Sequence, residues 1–109
     1  MPTLGVQIVR FVDDSRPGWV ECEFVDSSGR RHTFRDKVPI FSAYDLNADS
    51  AYPQRGVVHC EVLGRWKDDG GRELVRITTV RPFDIESVDG LSEFVVFATQ
   101  ISAANGEAA

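Results

Sequence analysis

From Val58 to Trp66 apolar and polar residues alternate: Val58, Cys60 and Val62 share one parity, continued by Gly64 and Trp66, while His59, Glu61 and Arg65 share the other. A period of two marks a half-buried β-strand, because successive side chains leave a pleated backbone on opposite faces. Asp68-Asp69-Gly70-Gly71 follows, and residues 74–80 alternate again. Two alternating runs around a Gly-rich turn specify an antiparallel hairpin. With Asp69 and Gly70 at the loop centre, Val62 faces Ile77, Gly64 faces Val75 and Cys60 faces Thr79; Leu63 then pairs with Arg76 and Glu61 with Thr78. A slip of one residue would oppose Val62 to Arg76 and mix the two faces, so burial selects the first register.

The same alternation bears on chemistry. Cys60 is directed to the core and His59 away from it, so the two do not form a nucleophile–base pair or share a metal. Packing of the barrel end is the role expected of Trp66, which shares the Cys60 parity.

A second hairpin precedes the first. Asp26-Ser27-Ser28-Gly29-Arg30 suits a three-residue loop with Gly29 in the left-handed region. Counting back from it, Phe24 faces His32, Cys22 faces Phe34, and Glu21 faces Arg35. Val20, Cys22, Phe24, His32 and Phe34 form one face; Glu21, Glu23, Thr33 and Arg35 form the other. Residues 4–12 and 91–101 are also expected as strands, apolar on both parities, hence central or covered on both faces. Pro39 limits any extension of the third strand to an edge or a bulge.

Six strands, closely spaced turns and no long helix predict an all-β domain: a small, partly open antiparallel β-barrel of the OB or SH3-like class, or a compact sandwich. At most one short helix is expected, within residues 42–54, where Ser42 and Asp45 resemble a capping box. One domain over residues 1–101 and a disordered tail over 102–109 complete the expected organisation.

Composition narrows function. Hydrophobic residues at 42% and charged residues at 27% are ordinary for a folded domain, and no apolar run approaches the roughly 18 residues of a membrane span. With no export or anchoring segment apparent, a cytoplasmic location is expected and no membrane association. The net charge of −5 disfavours nucleic acid and suits a basic partner protein. The basic cluster Arg30, Arg31, Arg35 and Lys37 lacks aromatic residues interleaved on its own face, which weakens a single-stranded nucleic-acid reading further.

Two irregular stretches remain as candidate sites. Residues 42–54 offer Tyr44, Asp45, Asp49 and Tyr52; residues 82–90 offer Asp84 and Glu86. Tyrosines among Asp, Asn and Ser suit adaptable contacts, and paired carboxylates suit a cation or acid–base work if shielded. The plainer expectation is that the first stretch plugs a barrel end and the second is a solvated turn. No nucleotide-binding loop, nucleophile elbow or metal-ligand spacing is present, and no metal or cofactor is expected. A non-enzymatic domain that binds a protein partner or forms a homodimer is the leading expectation. A ligand-binding barrel or enzyme with its site between loops 42–54 and 82–90 is the alternative, and a nucleic-acid binder the third.

Overall fold

The computed structural model of the chain describes residues 1–103. It is an all-β domain of two antiparallel sheets forming a partly open barrel. The first contains β1 (Thr3–Asp13), β2 (Trp19–Val25), β3 (Arg31–Lys37) and β4 (Gln54–His59) in the order β3-β2-β1-β4; β8 (Ile101–Ser102) pairs with the start of β1. The second contains β5 (Glu61–Lys67), β6 (Glu73–Thr78) and β7 (Glu93–Phe97) in that order. Among the described residues eight strands replace the expected six because two expected runs are each interrupted once. The run around Cys60 bends there, where the Cys60 N–H donates to the Pro2 carbonyl at 3.1 Å, and passes from the first sheet to the second. The final run breaks after Phe97 into a 3₁₀ turn at Ala98–Gln100 before β8. The tail expected over residues 102–109 falls, from 104 onward, outside the described residues; Ser102 pairs with Thr3.

The core lies between the sheets. Leu4, Val6 and Ile8 from β1, Val20, Cys22 and Phe24 from β2, and Phe34 from β3 meet Val75 and Ile77 from β6 and Phe94 and Val96 from β7. The double apolar parity of residues 4–12 has a local cause: a register shift between Ile8 and Arg10 reverses the faces, so that Phe11, opposite Val20, again points to the core. The β2–β3 hairpin has the expected register throughout, with Cys22 opposite Phe34, Glu21 opposite Arg35 and Phe24 opposite His32.

Among the described residues the one short α-helix, α1 (Val38–Phe41), lies just before residues 42–54 and not within them as expected. Pro39 decides this: its fixed φ and missing N–H fit a first helical turn, so the chain leaves β3 straight into a helix that buries Val38 and Phe41. Ser42 accepts the N–H of Tyr44 at 3.1 Å in a turn and caps no helix.

The β5–β6 hairpin follows the expected register only at its base. Val62 faces Ile77 and Glu61 faces Thr78, but Gly64 faces Arg76, Arg65 faces Val75 and Trp66 faces Leu74. The turn explains the shift. Asp68-Asp69-Gly70-Gly71-Arg72 repeats the geometry of Asp26-Ser27-Ser28-Gly29-Arg30: the first Asp N–H bonds to the Arg carbonyl at 2.9 Å in both, and the Gly sits at φ 84° or 89°. This three-residue loop sets the tip one residue out of step with the core register, and a bulge at Leu63 reconciles the two.

Gly56 lies on the inner side of β4, where a Cβ would come within 2.8 Å of Ile8 Cδ1 and Cγ1 and 3.0 Å of the Phe41 carbonyl oxygen. Gly56→Ala is therefore expected to destabilise by about 1–3 kcal/mol, as overpacking does. Gly64→Ala, with no neighbour within 4 Å of its Cβ, is expected to be neutral or slightly stabilising. Urea denaturation midpoints of the two variants check the contrast.

Candidate functional site

The bulge reverses the parity of everything between Leu63 and the turn. Trp66, expected inside, stands on the outer face of the second sheet and is 43% exposed. On that face it faces Leu74, which faces Phe97 on β7, so three large apolar side chains cross the sheet in one row. The next row is Gly64, Arg76 and Val95. Gly64 carries no side chain, which leaves the flank of the Trp66 row open. The Arg72 guanidinium lies over the Phe97 ring, 4.8 Å from its centre, a cation–π contact. A concavity of about 350 Å3 lined by Arg72, Glu73, Phe97, Ala98 and Thr99 adjoins this end. Charges around it balance, Arg65, Lys67, Arg72 and Arg76 against Asp68, Asp69, Glu73 and Glu93, so the acidity of the whole chain is not concentrated here.

A second concavity, of about 460 Å3, lies at the seam where the β2–β3 hairpin tip meets β7. Asp26, Ser27, Ser28, Arg30 and His32 form one wall; Arg76, Leu91, Glu93, Phe94 and Val95 form the other. Two bonds hold the seam: the Ser27 N–H donates to the Val95 carbonyl at 2.9 Å, and the Val88 N–H to the Thr33 carbonyl at 2.8 Å. His32 is 3% exposed and packs against Phe24 and Phe94 at ring-centre distances of 5.1 and 4.8 Å. Its Nε2 donates to Asp26 Oδ2 at 2.7 Å, while its buried Nδ1 has no partner. Burial alone would raise the Asp26 carboxyl. Hydrogen bonds from His32, from the Arg30 and Ser28 N–H groups and from the Ser28 hydroxyl outweigh it and hold the group at about 2.

The six residues singled out from sequence are placed elsewhere. Tyr44 is 74% exposed, and Asp45, Asp49, Asp84 and Glu86 are exposed. Tyr52 is half-buried against the core, its hydroxyl donating to the Asn47 carbonyl at 2.7 Å. Leu46 and Ile85, their buried neighbours, are what the two loops contribute to the core. None of the six lines either concavity above, nor two smaller ones of about 270 and 300 Å3 that share Gly5, Arg55 and Gly56. Sequence reasoning missed Trp66 as an exposed residue; the signal available was the second Asp-x-x-Gly-Arg turn, whose likeness to the first implies the shifted tip.

His59 and Cys60 diverge. Cys60 is fully buried, whereas His59 is half-buried with its ring edge-on to Phe83 at 5.4 Å. Burial pushes the Cys60 thiol up to about 11, and burial with the nearby Glu21 charge pushes Cys22 up as well, so both stay protonated at neutral pH. Among the described residues no group of three or more His, Cys, Asp or Glu side chains is placed to hold a metal ion.

The outer face of the first sheet is basic but internally compensated. Glu21 is bracketed by Arg35 and Arg10, with Arg10 Nε 2.8 Å from Oε1, and the Arg35 hydrogen bond lowers its carboxyl against the effect of burial. Arg31 approaches Glu23 at 3.7 Å. Trp19 shares this outer face, opposite Lys37, so one aromatic residue does stand beside the basic group. No helix among the described residues is long and apolar enough to cross a membrane.

No protein family, curated protein or solved structure matches this chain.

Proposed function

We propose that the chain is a protein-binding domain that engages another polypeptide, a second copy or a different chain, through the outer face of its second sheet. One observation carries this reading: the bulge at Leu63 turns Trp66 out of the core and into a row with Leu74 and Phe97. Keeping a tryptophan in water forgoes the burial it would have inside, and covering it against a partner recovers that energy. Aromatic side chains and arginines on a charge-balanced patch match the composition of interface centres. Val95 and Phe97 give the last strand its second apolar parity, which the same partner would cover.

Site-specific photocrosslinking in the source cells tests the reading. A photoreactive phenylalanine analogue at position 66 is expected to give discrete adducts, whereas the analogue at the highly exposed position 44 gives none of them. Sedimentation of the purified chain then assigns the partner: a dimer that Trp66→Glu dissociates identifies a second copy, and a monomer identifies a different chain. Identical adduct patterns from positions 44 and 66, or none from 66, would remove the proposal.

A further inference from the structure

Gly64 and Trp66 lie two residues apart on β5 and share the outer face of the second sheet. Apart from its chain neighbours, nothing lies within 4 Å of the Cβ that a side chain at Gly64 would carry, so the indole of Trp66 does not fold over that gap. The face thus carries a large projection and an open slot side by side, at the same end of two adjacent rows. Leu74 and Phe97 continue the Trp66 row; Arg76 and Val95 continue the Gly64 row. Such a surface is complementary to itself. Packed sheets lie roughly 10 Å apart, a gap that a tryptophan spans where the residue facing it is small. A two-fold axis running across the strands, between the two rows, sets Trp66 of each copy on Gly64 of the other. The same rotation sets Phe97 against Val95, and Leu74 against the aliphatic stem of Arg76.

Charge agrees with this pairing. Arg72 lies beyond the Trp66 row, over the Phe97 ring, and Asp68 holds it through Nε at 3.0 Å, which leaves its terminal nitrogens for another acceptor. Glu93 lies beyond the Gly64 row, two residues from Val95 on β7. The rotation exchanges these two ends, so Glu93 of one copy meets Arg72 of the other, twice per dimer. The charges around this face balance, while the chain as a whole carries −5. Two copies therefore meet here without the repulsion that their net charge creates elsewhere on the surface.

We propose that the outer face of the second sheet pairs with the same face of a second copy, each Trp66 seated in the slot at Gly64 of the other. The proposal rests on the protein-binding reading of this face and names its partner. Three strands and about four rows span roughly 15 by 20 Å, well under a standard interface. The dimer is accordingly weak and reversible, dissociating on the order of tens of micromolar.

Sedimentation equilibrium of the full chain from about 10 µM to about 1 mM is expected to show a monomer–dimer equilibrium. Gly64→Gln fills the slot in open space, so it is expected to weaken dimerisation about tenfold or more with the urea midpoint of the monomer unchanged. Arg72→Glu and Glu93→Arg are each expected to weaken dimerisation about tenfold. Their combination is expected to regain most of that loss, because the exchanged charges meet again only across the two-fold axis. The charge exchange decides alone should Gly64→Gln unfold. Wild-type dimerisation by folded Gly64→Gln, or no recovery in the combined variant, overturns the proposal, as does a monomer at every concentration. A monomer that still gives adducts from position 66 removes only the second copy and leaves a different chain as partner. A monomer without those adducts removes the reading beneath it.

Discussion

Asp26→Ala is expected to destabilise the domain by about 3 kcal/mol, and Asp68→Ala, at the same position of the same kind of turn, by only about 1 kcal/mol. Both carboxylates organise the backbone of their loops in the same way, Asp26 Oδ1 accepting the exposed Ser28 hydroxyl at 2.8 Å in addition. Asp26 Oδ1 accepts the N–H groups of Ser28 and Arg30 at 2.9 and 3.0 Å; Asp68 Oδ1 accepts those of Gly70 and Arg72, each at 2.9 Å. They differ in their second oxygen. Asp68 Oδ2 meets the exposed Arg72 side chain, whereas Asp26 Oδ2 holds His32, whose ring is sealed among phenylalanines. Removing Asp26 leaves both nitrogens of a buried imidazole without partners, and an unpaired buried polar group costs far more than an exposed bond contributes. The difference between the variants is dominated by that cost, because the backbone bonds of the turn are common to both and the Ser28 and Arg72 side-chain bonds are exposed. Urea denaturation at neutral pH measures it, and equal midpoint losses would show that the His32 bond contributes nothing.

The same carboxylate gives a pH signature. Its pKa is depressed to about 2 in the folded state, so its contribution is complete above the ordinary carboxylate range and disappears as the pH falls through about 2. The stability advantage of the wild type over Asp26→Asn, of order 1–2 kcal/mol at neutral pH, is expected to shrink between about pH 5 and pH 2. An advantage that stays constant down to pH 2 would mean that Asp26 is not ionised in the way its bonds imply.

What could be read from the sequence follows from where burial governs register. Along β2 and β3 every inward position except the half-buried Asp36, opposite Val20 at the far end, is filled by an apolar or aromatic residue or His32, so alternation and turn agree and each expected pair is found. Along β5 and β6 burial acts only at the base, on Val62 and Ile77. Arg65, Trp66 and Lys67 project past the core, and there the turn chemistry of Asp68 and Gly71 sets the register. Parity extrapolated across that boundary placed Trp66 on the wrong face. The helix lies outside residues 42–54 for a similar reason: Pro39 reads as a strand breaker, while its suitability for a first helical turn decides the local structure. The seam was not legible at all. Asp26, Arg30, Arg76 and Glu93 are brought together by the closure of one sheet on the other, and no spacing along the chain announces that closure.

Closure of the two sheets into one unit has its own expected result: Phe34→Ala should destabilise by about 3–5 kcal/mol, a large share of the roughly 5–15 kcal/mol available to a domain of this kind. Phe34 is fully buried on β3 and touches every layer. Its ring is stacked with Phe24 of β2 at 5.7 Å, meets Phe41 of α1 at 6.2 Å, and is edge-on to Phe94 of β7 at 5.8 Å. Truncation would open a cavity that none of these three rings can fill without leaving the others. Phe34→Leu keeps most of the volume and is expected to cost under about 1.5 kcal/mol, so it remains measurable if the alanine variant fails to fold. Phe83→Ala, at a ring 49% exposed on the surface, is expected to change stability by under about 0.5 kcal/mol. If Phe34→Ala cost no more than Phe83→Ala, the sheets would not share a cooperative core. The seam between them would then open too easily to keep the Ser27–Val95 and Val88–Thr33 bonds.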